Sequence, residues 1–526
     1  MKILVSDNLS GKGVDIFKKA KGIEVDVRTG LTPEELKSII KDYDGLVIRS
    51  ATKATAEIIA AADKLKVIGR AGIGLDNVDI PAASQRGIVV MNTPEGNTIT
   101  TAEHTISLLL AMTRKIPQAT ASLKAQKWEK KKFQGIELFN KTLGVIGLGK
   151  IGSIVADRAK GLKMQVIAFD PFIQPDILLK QDIEPVTLEE LYQRAHFITI
   201  HTPKTKDTLG LINAQAIAQM QDGVMIVNCS RGGIVDEKAL YEGLVSGKVA
   251  AAALDVFANE PPGENPLFSL DNFICTPHLG ASTTEAQENV AVAVAEQMVD
   301  YLLHGVIKNA VNVPSVSADL IERIKPYLVL AERLGVFQTQ ILEGGMTEVS
   351  IGYLGEVAGY DTKPMTVSLL KGLLTPILKD VVNFVNAPIL AKERGIRVVE
   401  SKTDTVDDFL NLITLRVKTQ KMESSISGTL FGKYEPRIVR LNNFRLEAIP
   451  EGHMLLIHNE DKPGVIGTIG TTLGKHRINI ERMQVGQEKE RGENIILLTT
   501  DRAVSAQALK DLVAVPSVLS ARSLEL

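Results

Sequence analysis

Over residues 1–312 the 526-residue sequence reads as α/β, arranged as two Rossmann-like, doubly wound lobes. The first lobe is discontinuous, residues 1–98 with 284–312, and the second spans 99–283. An α+β segment, 317–447, and a ferredoxin-like tail, 452–526, follow. Three observations lead there. Short apolar runs alternate with helical patterns, the mark of parallel sheets with helices on both faces. A G-x-G-x-x-G spacing stands between a strand pattern and a helix pattern at Gly147–Gly152. The tail runs strand, helix, strand, strand, helix, strand.

Composition bounds the class. Hydrophobic residues make up 44% and charged residues 23%, as in ordinary globular domains, and the length suits about three or four of them. Lys plus Arg number 60 against 62 Asp plus Glu, a balance that gives no reason to expect nucleic acid or an anionic membrane as partner. Two cysteines, Cys229 and Cys275, are too few for a disulfide framework and point to a reducing compartment. The sequence begins directly with a strand pattern and carries no signal-like or spanning apolar stretch, so a cytoplasmic protein is expected. No metal site is expected.

In the first lobe Ile3–Val5, Ile23–Val27, Leu46–Ile48, Val67–Ile68 and Ile88–Val90 read as strands, with helical patterns such as Pro33–Lys41 and Ala56–Ala62 between them. Thr98–Lys115 and Ser282–Leu303 read as long helices crossing between the lobes, which leaves a cleft there. In the second lobe strands are expected at Leu143–Ile146, Met164–Phe169, Phe197–Ile200, Val224–Val227, Val249–Leu254 and Phe273–Cys275. Asn312-Val-Pro314 followed by Ser315–Ser317 marks a boundary. Beyond it come a helix over Leu320–Gly335, a strand at Thr347–Leu354, one helical stretch over Pro364–Val385, and strands near Ile396–Glu400, Phe409–Val417 and Ser424–Gly432.

Each motif glycine has a distinct task. Gly147 makes the tight turn, Gly149 lets a pyrophosphate approach the backbone, and Gly152 allows close helix–strand packing. The anion would sit at the helix N-terminus. Asp170 stands 18 positions after Gly152, where an acid holds a ribose 2′-OH and repels a 2′-phosphate, so NAD is expected rather than NADP.

Ligands in such sheets bind at the carboxyl ends of strands. Arg231, Glu260 and His278 all follow strands of the second lobe at that edge. Hydride transfer from a hydroxy acid needs such a set: a base for the hydroxyl proton, an acid to orient the base, and a fixed cation for the carboxylate. Histidine titrates near neutrality and arginine grips a carboxylate with a planar fork. Arg49, Lys53 and Arg70, at strand ends of the first lobe, read equally as ligand contacts or solvated charges. The basic run Lys124–Phe133, with the chain's single Trp, reads as a solvated face or an anion contact. His104 and the remaining histidines read as structural, with His201 placed to line the cofactor pocket. Both thiols read as small buried groups.

Taken together, Gly147–Gly152, Asn228–Glu237, Asn259–Pro262 and Pro277–Gly280 resemble the D-2-hydroxyacid dehydrogenase family. Arg70–Asp79 and Met91–Asn97 are similar to its members that oxidise 3-phosphoglycerate. Asn459–Gly464 with Ile478–Ile480 resembles an ACT domain, and the 317–447 segment resembles the intervening domain of the long members. The resemblance implies NAD as cofactor, 3-phosphoglycerate as substrate, L-serine as effector and a homo-oligomer, a dimer or a tetramer. It implies catalysis by His278 with Glu260 as partner and Arg231 as carboxylate anchor. It implies cofactor contacts from Gly147, Gly149, Lys150, Ile151, Gly152, Asp170, Thr202, Cys229, Ser230, Arg231, Asp255, His278 and Gly280. Substrate contacts would come from Arg49, Arg70, Asn97, Arg231 and His278, with Lys130 reaching a neighbouring subunit's site. The serine contacts fall on Asp461 and Asn479, bonding one ligand from one tail or bridging two tails. A glycerate or hydroxypyruvate reductase, or a non-enzymatic NAD-sensing protein on the same fold, stand as alternatives.

Overall fold

The computed structural model describes residues 1–314, 318–405, 408–488 and 492–526. Of the boundary read from Asn312 on, Ser315–Ser317, and with it the start of the third segment at 317, lie outside the described residues. Five strands form the first sheet: β1 (Lys2–Val5), β2 (Glu24–Val27), β3 (Gly45–Ile48), β4 (Val67–Arg70) and β5 (Val89–Met91). They pair in parallel in the order β2-β1-β3-β4-β5. The central strands are apolar apart from Lys2 and Arg70 at their ends, because both of their faces are covered. The helix Thr284–His304 closes one face: Val294 and Met298 share a core with Ile3, Val67 and Met91. Gly45 and Gly69 make room for it, since a Cβ at Gly69 would overlap Met298. Ala310 then bridges Met91, so the chain does return to the first lobe after leaving the second.

The second sheet holds β6 (Thr142–Ile146), β7 (Gln165–Phe169), β8 (Glu184–Pro185), β9 (Phe197–Ile200), β10 (Val224–Asn228), β11 (Val249–Leu254) and β12 (Phe273–Cys275). Its order is β12-β11-β10-β9-β6-β7-β8, with every pair parallel. Strand order reverses at β6, where a crevice opens beyond the carboxyl ends of β6 and β9. The two-residue β8 was not expected from the sequence.

The third sheet runs β14-β13-β15-β16-β17-β18, from β13 (Met346–Gly355), β14 (Arg397–Thr403), β15 (Asn411–Thr419), β16 (Glu423–Phe431), β17 (Glu435–Leu441) and β18 (Phe444–Ala448). Only β13 and β14 are parallel. β17 and β18 went unread in the sequence. The stretch Pro364–Val385 is not one helix: it ends at Leu378, two residues after Pro376, and Lys379 turns left-handed at φ 55°. Proline removes a helix donor and crowds the preceding turn. The helices Ala318–Ile341 and Lys363–Leu378 cross at Gly335 and Gly372, where an added Cβ would overlap the partner's backbone.

The tail is β19 (His453–Glu460), β20 (Ile480–Glu488), β21 (Glu493–Thr500) and β22 (Val518–Glu525), in the antiparallel order β20-β21-β19-β22 with two helices. Met454, Ile495, Leu497 and Leu524 join the same core as Leu441 and Phe444 of the third sheet. No described helix is long and apolar enough to cross a membrane.

The crossing at Gly372 gives a direct test. Gly372→Val should destabilise the helix pair by ~1–3 kcal/mol through overpacking. Hydrogen exchange should show protection falling in 318–378 while the first two sheets keep theirs. Unchanged exchange there would mean the helices do not touch at this point.

Candidate active site

The glycine loop has the shape its spacing implies. Gly147 has φ 89°, and a Cβ there would stand 2.9 Å from the His201 carbonyl oxygen. Gly152 is pressed against the Gly147 carbonyl, whereas the position of a Cβ on Gly149 is open. Gly149 begins the helix Lys150–Gly161, whose first N–H groups have no intrahelical acceptor. The Asp170 carboxylate accepts from the Leu148 N–H at 2.8 Å and the Phe172 N–H at 2.9 Å. Beside Gly147 the Thr202 hydroxyl is buried and has no partner. An open cradle, a helix N-terminus, a carboxylate and an orphaned hydroxyl together fit a dinucleotide. Ile151 packs against the lobe's core. Lys150 reaches across the cleft to Glu95 at 2.8 Å. Burial pulls His201 down to about 3, so it stays neutral beside the loop.

The candidate catalytic side chains Arg231, Glu260 and His278 follow the ends of β10, β11 and β12. His278 Nδ1 lies 2.7 Å from Glu260 Oε2. Burial pushes Glu260 up, but hydrogen bonds from the His278 ring and the Phe257 N–H outweigh it, and the carboxyl ends below its usual range. A lowered carboxyl gives stability that is present above the ordinary glutamate pKa and is lost as pH falls through the lowered value. His278 itself sits at φ 54°, a left-handed conformation uncommon for a side chain of this size.

The loop after β12 is held by Asp255. Its carboxylate accepts from Thr276 Oγ1 at 2.5 Å, the Leu279 N–H at 2.7 Å and the Gly280 N–H at 2.8 Å. Asp255, Cys229 and Gly280, expected to contact the cofactor, have their polar groups or side chains engaged within the lobe. The Asp255 side chain has 0% exposure, Cys229 is a core thiol at 5%, and Gly280 is buried with its carbonyl on Thr101. Asp255 turns inward because the loop's N–H groups need internal partners, and Cys229 packs into the lobe's core. The Ser230 hydroxyl is likewise committed to Asn228 Oδ1 at 2.7 Å.

A pocket of about 560 Å³ between the lobes is lined by Arg49, Arg70, Asn97, Glu260 and His278, among others. Arg70 is lowered to about 10 by burial and by repulsion from Arg231 and Arg49. Three guanidinium groups therefore repel one another here, offset in part by Asp76 and Asp7. Arg70 Nε and Asn97 Oδ1 are buried and have no partner, as expected of a site shaped for an anion. Arg231 is not in the pocket lining; its Nε donates to Asp76 Oδ2 at 2.9 Å, across the lobes. Lys130 is not brought to the pocket either, and stands exposed on the turn Lys130–Phe133.

Sequence reasoning missed the braces. Asp7 accepts from the Arg49 N–H at 2.6 Å and the Thr52 hydroxyl at 2.7 Å. Asn77 donates to the carbonyls of Arg49 and Thr52, both at 2.6 Å. Only their position after strand ends hinted at this.

In the tail, Asp461 accepts from Asn494 Nδ2 at 2.8 Å. Asn479 is exposed, and its N–H donates to Asp501 at 2.9 Å. Glu460 pairs with Glu493 and Ile480 with Thr500, so the two residues lie at opposite ends of β21, about 23 Å apart at ~3.3 Å per residue. One tail cannot bring both to one small ligand, which removes that version of the expectation. The Oδ1 atoms of Asn459 and Asn494, buried at the Asp461 end, have no partner.

Comparison with known proteins places these observations. Residues 106–280 match the model "D-isomer specific 2-hydroxyacid dehydrogenase, NAD binding domain". Residues 323–442 match "D-3-phosphoglycerate dehydrogenase intervening domain", and 453–517 match "ACT domain". The D-3-phosphoglycerate dehydrogenase of Archaeoglobus fulgidus is 45% identical over 100% of both chains. That of Methanocaldococcus jannaschii is 46% identical over 98% of both. Among solved structures, the NAD-bound 3-phosphoglycerate dehydrogenase of Entamoeba histolytica has TM-score 0.51 and 34% identity, covering 59% of this chain and 98% of that one.

The two thiols check the placement of the β10 and β12 ends. Burial pushes the Cys229 thiol up to about 12, while Cys275 is exposed. Alkylation of the native chain at neutral pH should label Cys275 and spare Cys229, as read by peptide mass spectrometry. Equal labelling would show that the end of β10 opens to solvent.

Proposed function

The chain belongs to the D-3-phosphoglycerate dehydrogenases, and on that premise we propose how its residues oxidise 3-phospho-D-glycerate to 3-phosphooxypyruvate with NAD, the first step of serine synthesis. The observation that carries the reading is the pocket itself. The His278–Glu260 pair shares it with Arg49, Arg70 and the unpartnered Asn97 amide oxygen. Bound NAD supplies the hydride acceptor. Gly147, Gly149 and Gly152, with the helix N-terminus at Lys150 and Ile151, hold its pyrophosphate, Asp170 holds a ribose, and Thr202 and the Ser230 backbone line the remaining groove. His278 takes the hydroxyl proton as C2 gives up hydride and its C–O bond becomes a carbonyl. Glu260 keeps the ring oriented and stabilises the imidazolium that forms. Arg231 anchors the substrate carboxylate, with Asp76 fixing its other edge, while Arg49, Arg70 and Asn97 take the phosphate.

The division into 1–98 with 284–312, 99–283, 317–447 and 452–526 is supported by the presence of four separate sheets, the third of which ends one residue beyond it at Ala448. A homo-oligomer is supported by the exposed arm that carries Trp128, 83% exposed, and Phe139, 59% exposed; docked on a second copy, it directs Lys130 toward that copy's pocket. Two free cysteines suit a cytoplasmic location. L-serine is the effector, bound between two tails, with Asp461 from one and Asn479 from the other.

Two experiments test this. NAD reduction should proceed with 3-phosphoglycerate far faster than with glycerate, and His278→Asn should lower kcat by ~10²–10⁴ with NAD affinity little changed. Near-normal kcat in that variant would remove His278 from the mechanism. Calorimetry should show serine binding weakened by Asp461→Ala and by Asn479→Ala alike. Undiminished affinity in both would place the effector elsewhere.

A further inference from the structure

The helix Thr98–Thr113 starts beside the substrate pocket at Asn97 and passes behind the loop that carries His278. His104, on its second turn, has Nε2 at 3.0 Å from Thr276 Oγ1 and 3.2 Å from Asp255 Oδ1. The Thr276 hydroxyl already gives its one proton to Asp255 Oδ1 at 2.5 Å, and an ionised carboxylate only accepts. Both neighbours of Nε2 are therefore acceptors, which puts a proton on Nε2. The Asp255 carboxyl is held below its usual range: burial pushes it up, and bonds from His104, Thr276 and the Leu279 N–H outweigh that.

What this cluster holds is the base. The Asp255 carbonyl accepts from the His278 N–H at 2.9 Å, and its carboxylate takes the next two N–H groups, of Leu279 and Gly280. One turn before His104, Thr101 Oγ1 donates to the Gly280 carbonyl at 2.9 Å. The left-handed backbone at His278 is thus fixed by bonds that trace back to one helix. We propose that His104 is a positioning residue for the reaction. It acts through Asp255 and Thr276, tying the loop that presents His278 to the helix that presents Asn97, so that base and substrate pocket keep a fixed separation. The inference rests on His278 being the base.

The test compares His104→Leu, which removes the donor, with His104→Gln, whose amide can still donate from a similar position. The full-length chain is used, with 3-phosphoglycerate or any 2-hydroxy acid that the wild type turns over. A wild type inactive on every such acid would sink the functional reading and not this one alone. His104→Leu should lower kcat about tenfold to a hundredfold, the worth of a bond to a charged group. Its KM and its NAD affinity by calorimetry should stay within about threefold. His104→Gln should recover most of the lost kcat. Unchanged kcat in the Leu variant, or a Gln variant as slow as Leu, would overturn the proposal. Should the Leu variant fail to fold, Thr276→Val removes the same link from the other end: lowered kcat with normal NAD affinity supports the role, and unchanged kcat rejects it.

Discussion

Asp255 has no exposed side-chain surface, yet four donors from two parts of the chain meet its two oxygens: Thr276, Leu279 and Gly280 on the loop, and His104 on the helix between the lobes. Burying a carboxylate is costly unless its lone pairs are satisfied, so the loop's path is dictated by where this charge must find hydrogen. That path forces His278 into a left-handed backbone and aims its ring at Glu260. His278 is placed, in effect, by an acid that does not touch it with its side chain.

Charge across the cleft sets the second constraint. Arg49, Arg70 and Arg231 repel one another, and part of that repulsion falls on the buried Arg70. Two ion pairs cross between the lobes, Arg231 with Asp76 and Lys150 with Glu95. Asp76 and Glu95 are largely exposed, and such pairs are worth only ~0–1 kcal/mol. They are weak enough for an anionic ligand to displace. A molecule with a phosphate at one end and a carboxylate at the other relieves the arginine repulsion at both ends, where an uncharged one relieves none.

Much of this was legible before any coordinates. Parallel strands buried on both faces are continuous apolar runs, so β9, β11 and β12 were located to the residue, and a strand end followed by Arg231, Glu260 or His278 carries its own meaning. The glycine loop was readable because each glycine answers a separate steric demand. What escaped depends on distant partners. Nothing local marks Asp7 as the brace of Arg49, or His104 as part of the site. The inward turn of Cys229 and Gly280 is decided by packing against the helix Thr98–Thr113. β17 and β18 are short and polar-flanked, and their identity comes from pairing with β16. Likewise, Asp461 and Asn479 are close in sequence motif but sit at opposite ends of one strand once β19 and β20 take their register.

That register also shapes how a tail ligand can reach the chemistry. The tail and the third sheet share one core, and Gln340 bonds both the N–H and the carbonyl of Glu525, at 3.0 and 2.9 Å. The third unit in turn grips the first lobe: Asn383 donates to the Gly87 carbonyl at 2.8 Å, and Val385 enters that lobe's core. The first lobe carries Arg49 and Arg70, whereas the second carries Glu260 and His278. The tail is thus linked through the third unit to the lobe that carries Arg49 and Arg70, and not directly to the one that carries Glu260 and His278. An effector shifts such an arrangement only as far as it binds one position of the tails more tightly than another. On the reading that Arg49 and Arg70 hold the phosphate, the gap between that phosphate and His278 is what such a shift would change, and hydride transfer depends steeply on it.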